Sequence, residues 1–332
     1  MLAETIVQDW AGIMQIWKAD AKTRRVGILL FDDFSNHCLA NAVEPLRAAN
    51  TFAQRQLYSW TFLSIDGAPV VSSSGLPVAP QSALARVAGD DLFVMPSYGF
   101  RDHAGRGTIR ALRAAAHRWD RIAGLDTGAW LLAAAGLLDG RRATIHWDEL
   151  AAMAQAFPQV EVVPDRFVID GNRLSCGGVT TTFELVLHLI RQTHGPMLAV
   201  EVAALFMLGE TGPAGLRELN RTSDGMIHAA AAIMRRNIEN PQPLPAIAAR
   251  LGLGRKRMEQ LFRAELGMTA QALYRAIRLH EARRLIRQAP RPVSEIAALC
   301  GYADASALTR AFRAEFGMTP TACRAGRASP GT

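Results

Sequence analysis

The 332-residue sequence predicts an α/β domain built on a parallel sheet, followed by an all-α domain with two helix-turn-helix units. Three observations carry that prediction. From Arg24 to Met207 short apolar runs alternate with stretches of helical periodicity, the pattern of a parallel sheet covered on both faces. The stretch Leu208-Gly-Glu-Thr-Gly-Pro-Ala-Gly215 is rich in helix breakers, and beyond it the strand pattern ceases. Finally, Phe262-Arg-Ala-Glu-Leu-Gly-Met-Thr269 recurs fifty residues later as Phe312-Arg-Ala-Glu-Phe-Gly-Met-Thr319.

Taken in order, Val26–Phe31 reads as a first buried strand and Cys38–Asn50 as a helix. Trp60–Ile65 and Asp91–Met95 read as strands, Thr108–Trp119 as a helix and Arg121–Leu125 as the next strand. A helix opens at about Thr127, and Ala143–Trp147 reads as a further strand. Phe167–Ile169 and Arg173–Ser175, joined by Asp170-Gly171-Asn172, have the signature of a hairpin. Helices over Thr182–Gln192 and Met197–Met207 close the domain. The expected organisation is therefore an N-terminal extension (1–23), the α/β domain (24–207), a linker (208–221), the helical domain (222–325) and a tail (326–332).

Composition narrows the function classes. A hydrophobic content of 49% with 20% charged residues describes a globular protein. No apolar run approaches the roughly 18–20 residues of a membrane span. The first 23 residues carry Glu4, Asp9 and Asp20 and form no signal peptide. Cys38, Cys176, Cys300 and Cys323 lie far apart without metal-ligand spacing, so neither a metal nor another cofactor is expected, and a reduced cytoplasmic setting fits. The net charge of +7 is unevenly divided: residues 1–216 sum to −3 and residues 217–332 to +10. All the positive excess belongs to the C-terminal third, as a nucleic-acid partner requires, although a merely solvated basic surface has the same signature.

The repeat decides between those readings. Ile247-Ala-Ala-x-x-Gly252 recurs as Ile296-Ala-Ala-x-x-Gly301 at an offset of forty-nine, so the second copy has one extra residue in the turn or at the start of its second helix. In the first copy Leu244–Leu251 is a short helix, Gly252 permits the turn, and Arg255–Leu266 is a second helix anchored by Met258, Leu261 and Phe262. Its outward face carries Arg255, Lys256, Arg257, Glu259 and Gln260. In the second copy Ser294 is expected to cap a helix holding Ile296, Ala297 and Cys300, and Leu308, Ala311 and Phe312 anchor its partner. The exposed face there offers Ala305, Ser306, Thr309, Arg310 and Arg313. Small residues let a helix sit deep in the major groove, Arg or Gln can pair with base edges, and flanking cations meet phosphates. The expected DNA-binding set is Arg255, Lys256, Arg257 and Gln260 from the first copy, and Ala305, Ser306, Thr309, Arg310 and Arg313 from the second. A long helix, Ala270–Arg287, joins the two copies.

Residues 222–325, with Gly301-Tyr-Ala-Asp-Ala-Ser306 and Phe312–Pro320, resemble the AraC/XylS DNA-binding domain. The resemblance implies seven helices, with two recognition helices entering adjacent major-groove segments on one face of promoter DNA. RNA polymerase is then a further partner. The chain departs from the family where Met268-Thr-Ala270 replaces the commoner ending in proline.

In the first domain Gly124-Leu-Asp-Thr-Gly128 sits where a strand gives way to a helix, the geometry of a nucleophile elbow. Together with Ala129–Leu132, Gly136-Leu-Leu-Asp-Gly140, Arg142–Trp147 and Asn41-Ala-Val-Glu-Pro-Leu-Arg-Ala-Ala-Asn50, it resembles the GlxA-type regulators. Their first domain is similar to the PfpI and class I glutamine amidotransferase superfamily, which implies a flavodoxin-like sheet, and Glu44 matches the glutamate beside the elbow. Enzymes of that superfamily place cysteine at the elbow, and here the residue is Asp126. A carboxylate is a far weaker nucleophile than a thiolate with a nearby base. The expected reading is a catalytic fold turned sensor; the alternative is an amidase, deglycase or protease carrying a DNA-binding tail. Ligands of open α/β sheets bind at the carboxyl ends of strands, which nominates Asp126, Thr127, Glu44, Ser97 and Tyr98, with Trp130 and Trp147 as aromatic walls. The resemblance and the acidic floor together point to a small cationic or zwitterionic nitrogen metabolite as effector, with a homodimer implied by the family and Asp126 as a plain helix cap the competing reading.

Overall fold

The computed structural model describes residues 22–53, 55–207, 223–288 and 291–325. The expected linker, the tail and residues 1–21 of the extension lie outside the described residues. The chain divides into two compact units, one within Lys18–Val202 and the other containing Ala203–Thr332.

The first unit begins with β1 (Arg24–Leu30), α1 (Asn36–Ala53) and β2 (Tyr58–Ser64), followed by the short strands β3 (Val70–Val71), β4 (Pro77–Val78) and β5 (Ser82–Ala83). Then come β6 (Gly89–Met95), α2 (Arg106–Ala115), β7 (Trp119–Gly124), α3 (Gly128–Ala134), β8 (Arg142–Ala143), α4 (Leu150–Ala156) and β9 (Glu161–Val162). The hairpin β10 (Phe167–Asp170) and β11 (Arg173–Cys176) precedes α5 (Val179–His194) and α6 (Pro196–Met207). The main sheet has the order β10-β11-β7-β6-β1-β2-β5, parallel throughout except for β10. The carboxyl-terminal stretches of the central strands, 26–30 of β1 and 92–95 of β6, are buried throughout, which is why they read as unbroken apolar runs. At the amino edge the buried Asp91 of β6 receives Arg24 of β1 at 2.9 Å and Arg121 of β7 at 2.5 Å, tying three adjacent strands.

Two local expectations are corrected. Trp119 opens β7 instead of ending a helix, because its indole packs where Gly27 and Gly89 carry no side chain; a Cβ at either would lie 2.4 Å from the ring. The strand expected over Ala143–Trp147 shortens to β8, and Trp147 begins a single 3-10 turn. Its backbone donors are diverted: Thr144 N bonds Ser175 Oγ at 2.9 Å and His146 N bonds the Asp126 carbonyl at 3.1 Å.

Between Ser223 and Ala325 the described residues form seven helices: α7 (Ser223–Arg236), α8 (Leu244–Arg250), α9 (Arg255–Leu266), α10 (Ala270–Gln288), α11 (Val293–Leu299), α12 (Ala305–Phe316) and α13 (Pro320–Ala325). Helices α8 and α9 make the first helix-turn-helix, α11 and α12 the second, and α10 serves both. Its Tyr274 hydroxyl donates to Asn237 O at 2.7 Å on the side of the first helix-turn-helix. Four residues on, Arg278 donates to Cys300 O at 2.8 Å, bonds Gly301 O and stacks on Tyr302 at 4.3 Å. The extra residue of the second copy falls in the turn, since α9 starts three residues after Gly252 and α12 four after Gly301. Ser294 does not cap α11: Pro292 holds that position, as Pro243 does for α8, each with the ring-locked φ that starts a helix.

Candidate functional site

The elbow is built by close approach. A Cβ at Gly128 would stand 2.1 Å from Val94 O, and one at Gly124 would stand 2.4 Å from Ala129 N. The chain can therefore turn from β7 into α3 in three residues, and Asp126 takes a left-handed φ of 60°. Two more non-glycine residues share that conformation, Asp33 after β1 and Ser97 after β6. All three follow the carboxyl ends of neighbouring strands. Between β1 and β6 the strand order reverses, so this is the edge where an open sheet binds ligands. Each such residue costs about 1–3 kcal/mol and persists where surrounding structure over-determines it.

Asp126 is 8% exposed, and burial pushes its carboxyl above the ordinary carboxylate range, opposed by the Ser97 hydroxyl and the His146 charge. Ser97 is buried, and its hydroxyl has no well-formed hydrogen bond. Thr127 donates to Ser97 O at 2.6 Å, locking the two loops together, and Tyr98 stands 62% exposed at the rim. Thr127, not Asp126, holds the helix N-cap position, and its side chain makes no capping bond.

Three expected members are not brought to this place as expected. Glu44 lies on the outer face of α1, 43% exposed and paired with Arg47 at 2.7 Å. The α1 residue that feels Asp126 is Cys38, whose sulfur lies 3.4 Å from Thr182 Oγ1; Cys176 lies 3.2 Å from the same hydroxyl. Burial raises both thiols, Cys38 well above its usual value, so neither offers a thiolate in place of the missing nucleophile. Trp130 is no open wall: Phe100 and Phe157 meet it edge-on at 5.4 and 5.0 Å, and the Arg101 guanidinium covers its ring at 4.6 Å. Arg101 is itself paired with Glu149. Trp147 is 72% exposed beside His146. His146, outside the nominated set, is the ionisable neighbour whose charge opposes the burial of the Asp126 carboxylate.

In the second unit Met258, Phe262, Leu308 and Phe312 are fully buried, so the opposite faces of α9 and α12 are outward. Arg255, Lys256, Arg257 and Gln260 are exposed, as are Ser306, Arg310 and Arg313, while Ala305 and Thr309 are half-buried. Among the described residues, none of these arginines or Lys256 has an ion-pair partner. An open groove of about 760 Å³ runs along α9 between Arg255, Lys256 and Gln260 and the start of α10 at Thr269 and Gln271. Glu259 and Arg263 also line it, and neither belonged to the expected set. Thr269 caps α10 by accepting from Ala272 N at 3.1 Å.

Fold and surface together define a two-domain DNA-binding protein with a sensor-like first domain. The DJ-1/PfpI family matches residues 24–192, and a helix-turn-helix domain family matches residues 247–326. The HTH-type transcriptional regulator CdhR of Pseudomonas aeruginosa is 38% identical over 312 residues, covering 90% of each chain. The HTH-type transcriptional regulator GlxA of Rhizobium meliloti is 33% identical over 311 residues, covering 91% of this chain and 95% of its own. A THiJ/PfpI family protein from Pseudomonas syringae has the same fold, with a TM-score of 0.50 at 20% identity over 76% of this chain and 91% of that one. This chain belongs to the AraC-type transcriptional regulators with an N-terminal DJ-1/PfpI-like domain. It is a DNA-binding regulator and not a hydrolase.

Proposed function

We propose that this regulator couples a small nitrogenous effector at the Asp126 elbow to promoter recognition by α9 and α12. The effector domain spans 24–207 and the DNA-binding domain 222–325, joined by 208–221. The observation that carries the DNA-facing part is the unpaired cationic surface on two equivalent helices of a region of net charge +10. Arg255, Lys256, Arg257 and Gln260 face one major-groove segment, and Ala305, Ser306, Thr309, Arg310 and Arg313 the next. The protein works in the cytoplasm as a homodimer and activates transcription through RNA polymerase. Affinity for promoter fragments should fall steeply with salt, because each phosphate contact releases a counterion. Binding by the full chain that is no tighter for any promoter than for random duplex would reject this reading.

At the elbow the buried Asp126 carboxylate is the counter-ion for a cationic or zwitterionic nitrogen compound, with Ser97, Tyr98 and His146 around it. Because its folded-state pKa is raised, Asp126 costs stability progressively as the pH rises from the unfolded value of about 3.9 towards the folded pKa and by a constant amount above it, and the cost is absent at lower pH. Asp126→Asn should therefore melt above wild type at neutral pH, with the gap closing as the pH falls towards about 4. A bound cation relieves the same cost, so betaine, carnitine, choline or basic amino acids should stabilise wild type and not Asp126→Asn. Calorimetry with these compounds decides it: equal affinity for both proteins would remove the counter-ion role.

A further inference from the structure

We infer that the first helix-turn-helix reads a cytosine through Glu259, which makes Glu259 a specificity-determining residue of the DNA-binding surface. The inference rests on α9 and α12 being the reading helices. Their alignment is set by the molecule itself: α9 and α12 start at Arg255 and Ala305, end at Leu266 and Phe316, and match at an offset of fifty residues throughout. The buried anchors coincide under that offset, Met258 with Leu308 and Phe262 with Phe312. Glu259 then occupies the place of Thr309, and Gln260 that of Arg310, the pair directed at base edges in the second helix-turn-helix.

The surroundings of Glu259 fit a reading role better than a structural one. It lies in the groove beside Arg255, Lys256 and Arg263. Arg255 is four residues before it and Arg263 four residues after, the spacing at which helix ion pairs form. Neither closes one with it among the described residues, and its Oε2 is shielded from solvent with no hydrogen-bond partner. Its accepting capacity is unspent, inside a groove whose other charges attract DNA. Facing a phosphate, a carboxylate is repelled. Facing the major-groove edge of a base pair, it accepts from the exocyclic N4 amine of cytosine; guanine and thymine offer no donor there, and the N6 amine of adenine stands beside the N7 acceptor, which repels a carboxylate. Gln260, next to it, has the amide geometry that pairs with adenine N6 and N7, whereas Arg310 has the fork that pairs with guanine O6 and N7. Two near-identical frameworks thus read two different half-elements: cytosine and adenine by α9, guanine by α12.

The test is selection of randomised DNA duplexes by the full chain, for wild type, Glu259→Gln, Glu259→Ala and, as the equivalent position, Thr309→Ala. Melting temperatures confirm that each variant is folded. Wild type should enrich a cytosine in one half of the selected site. Glu259→Gln should lose that cytosine preference by about 5- to 150-fold, the range for one good base contact, while the other half of the site is unchanged. Thr309→Ala should leave the cytosine in place. If both Glu259 variants retain the cytosine, or bind every duplex more tightly by one common factor, Glu259 is only a repulsive charge and the inference is overturned. A wild type that enriches no sequence at all overturns the DNA reading of α9 and α12 first, and the inference with it.

Discussion

At the entrance to its reading helix the first helix-turn-helix unit of the helical domain has Gly254-Arg-Lys-Arg257 and the second has Asp304-Ala-Ser-Ala307. Asp304 caps α12 by accepting from Ala307 N at 2.7 Å, while Gly254 leaves the first amides of α9 without a side-chain acceptor. The second unit spends an extra turn residue and an acidic cap on ordering its helix, then offers small side chains that permit close approach. The first unit leaves the helix start uncapped and covers it with three cations. Underneath, the frameworks match: a short helix led by proline, a glycine turn with φ near 70°, and fully buried anchors at equivalent positions. The difference teaches that the buried residues specify the fold of each unit, so the exposed ones are free to divide the labour of recognition. Three cations favour phosphate and general affinity, and a capped helix of small residues favours fit to the groove.

The strongest challenge to a shared framework is to empty it. Phe262→Ala and Phe312→Ala each remove a fully buried ring and should each cost about 3–5 kcal/mol in denaturant unfolding. Because α10 packs against both units, each variant should lose the helical domain in one transition. Separate transitions for the two units would show that α10 does not couple them.

Function separates the units at a smaller scale. Arg310→Ala should relax base preference at one position by about 1–3 kcal/mol, read by competition among operator variants. Arg263→Ala and Arg313→Ala, at equivalent places, should instead weaken all sequences alike and lower the salt slope by about one each. Should Arg313→Ala change the preferred sequence, the division between reading and gripping residues is drawn in the wrong place.

The smallest effects concern the caps. Asp304→Ala should lower stability by about 1 kcal/mol through loss of the bond to Ala307 N. Gly254→Ser, at a position already in extended conformation, should raise it by a few tenths of a kcal/mol. A Gly254→Ser protein that is no more stable would mean that α9 finds its amide partners elsewhere, and that the contrast between the two helix starts is only apparent.

The sequence by itself determined the order of elements, the duplication and the identity of the elbow residue. Those signals are local: apolar periodicity, glycine at the turns and a repeat of high identity. Helix α9 was legible to the residue because its glycine turn at Gly252, its anchors and its αL glycine at Gly267 follow one another without interruption along the chain. What faces what was not legible. Glu44 and Cys38 lie six residues apart on α1, about 120° round the helix, and only packing against α5 decided that the thiol is the one buried, against Thr182 and within the field of Asp126. Trp130 is four residues beyond Asp126, yet that spacing carries no helical meaning because Asp126 precedes α3 in a left-handed conformation. Its ring was claimed by Arg101, a partner from another loop that no periodicity announces. Glu259 was visible on the outward face but has the sign of charge that phosphate repels, and only the groove around it gives that carboxylate something to do. Local pattern specifies which elements form; the direction of each side chain is settled by contacts between elements distant in sequence, and the sites are made of those directions.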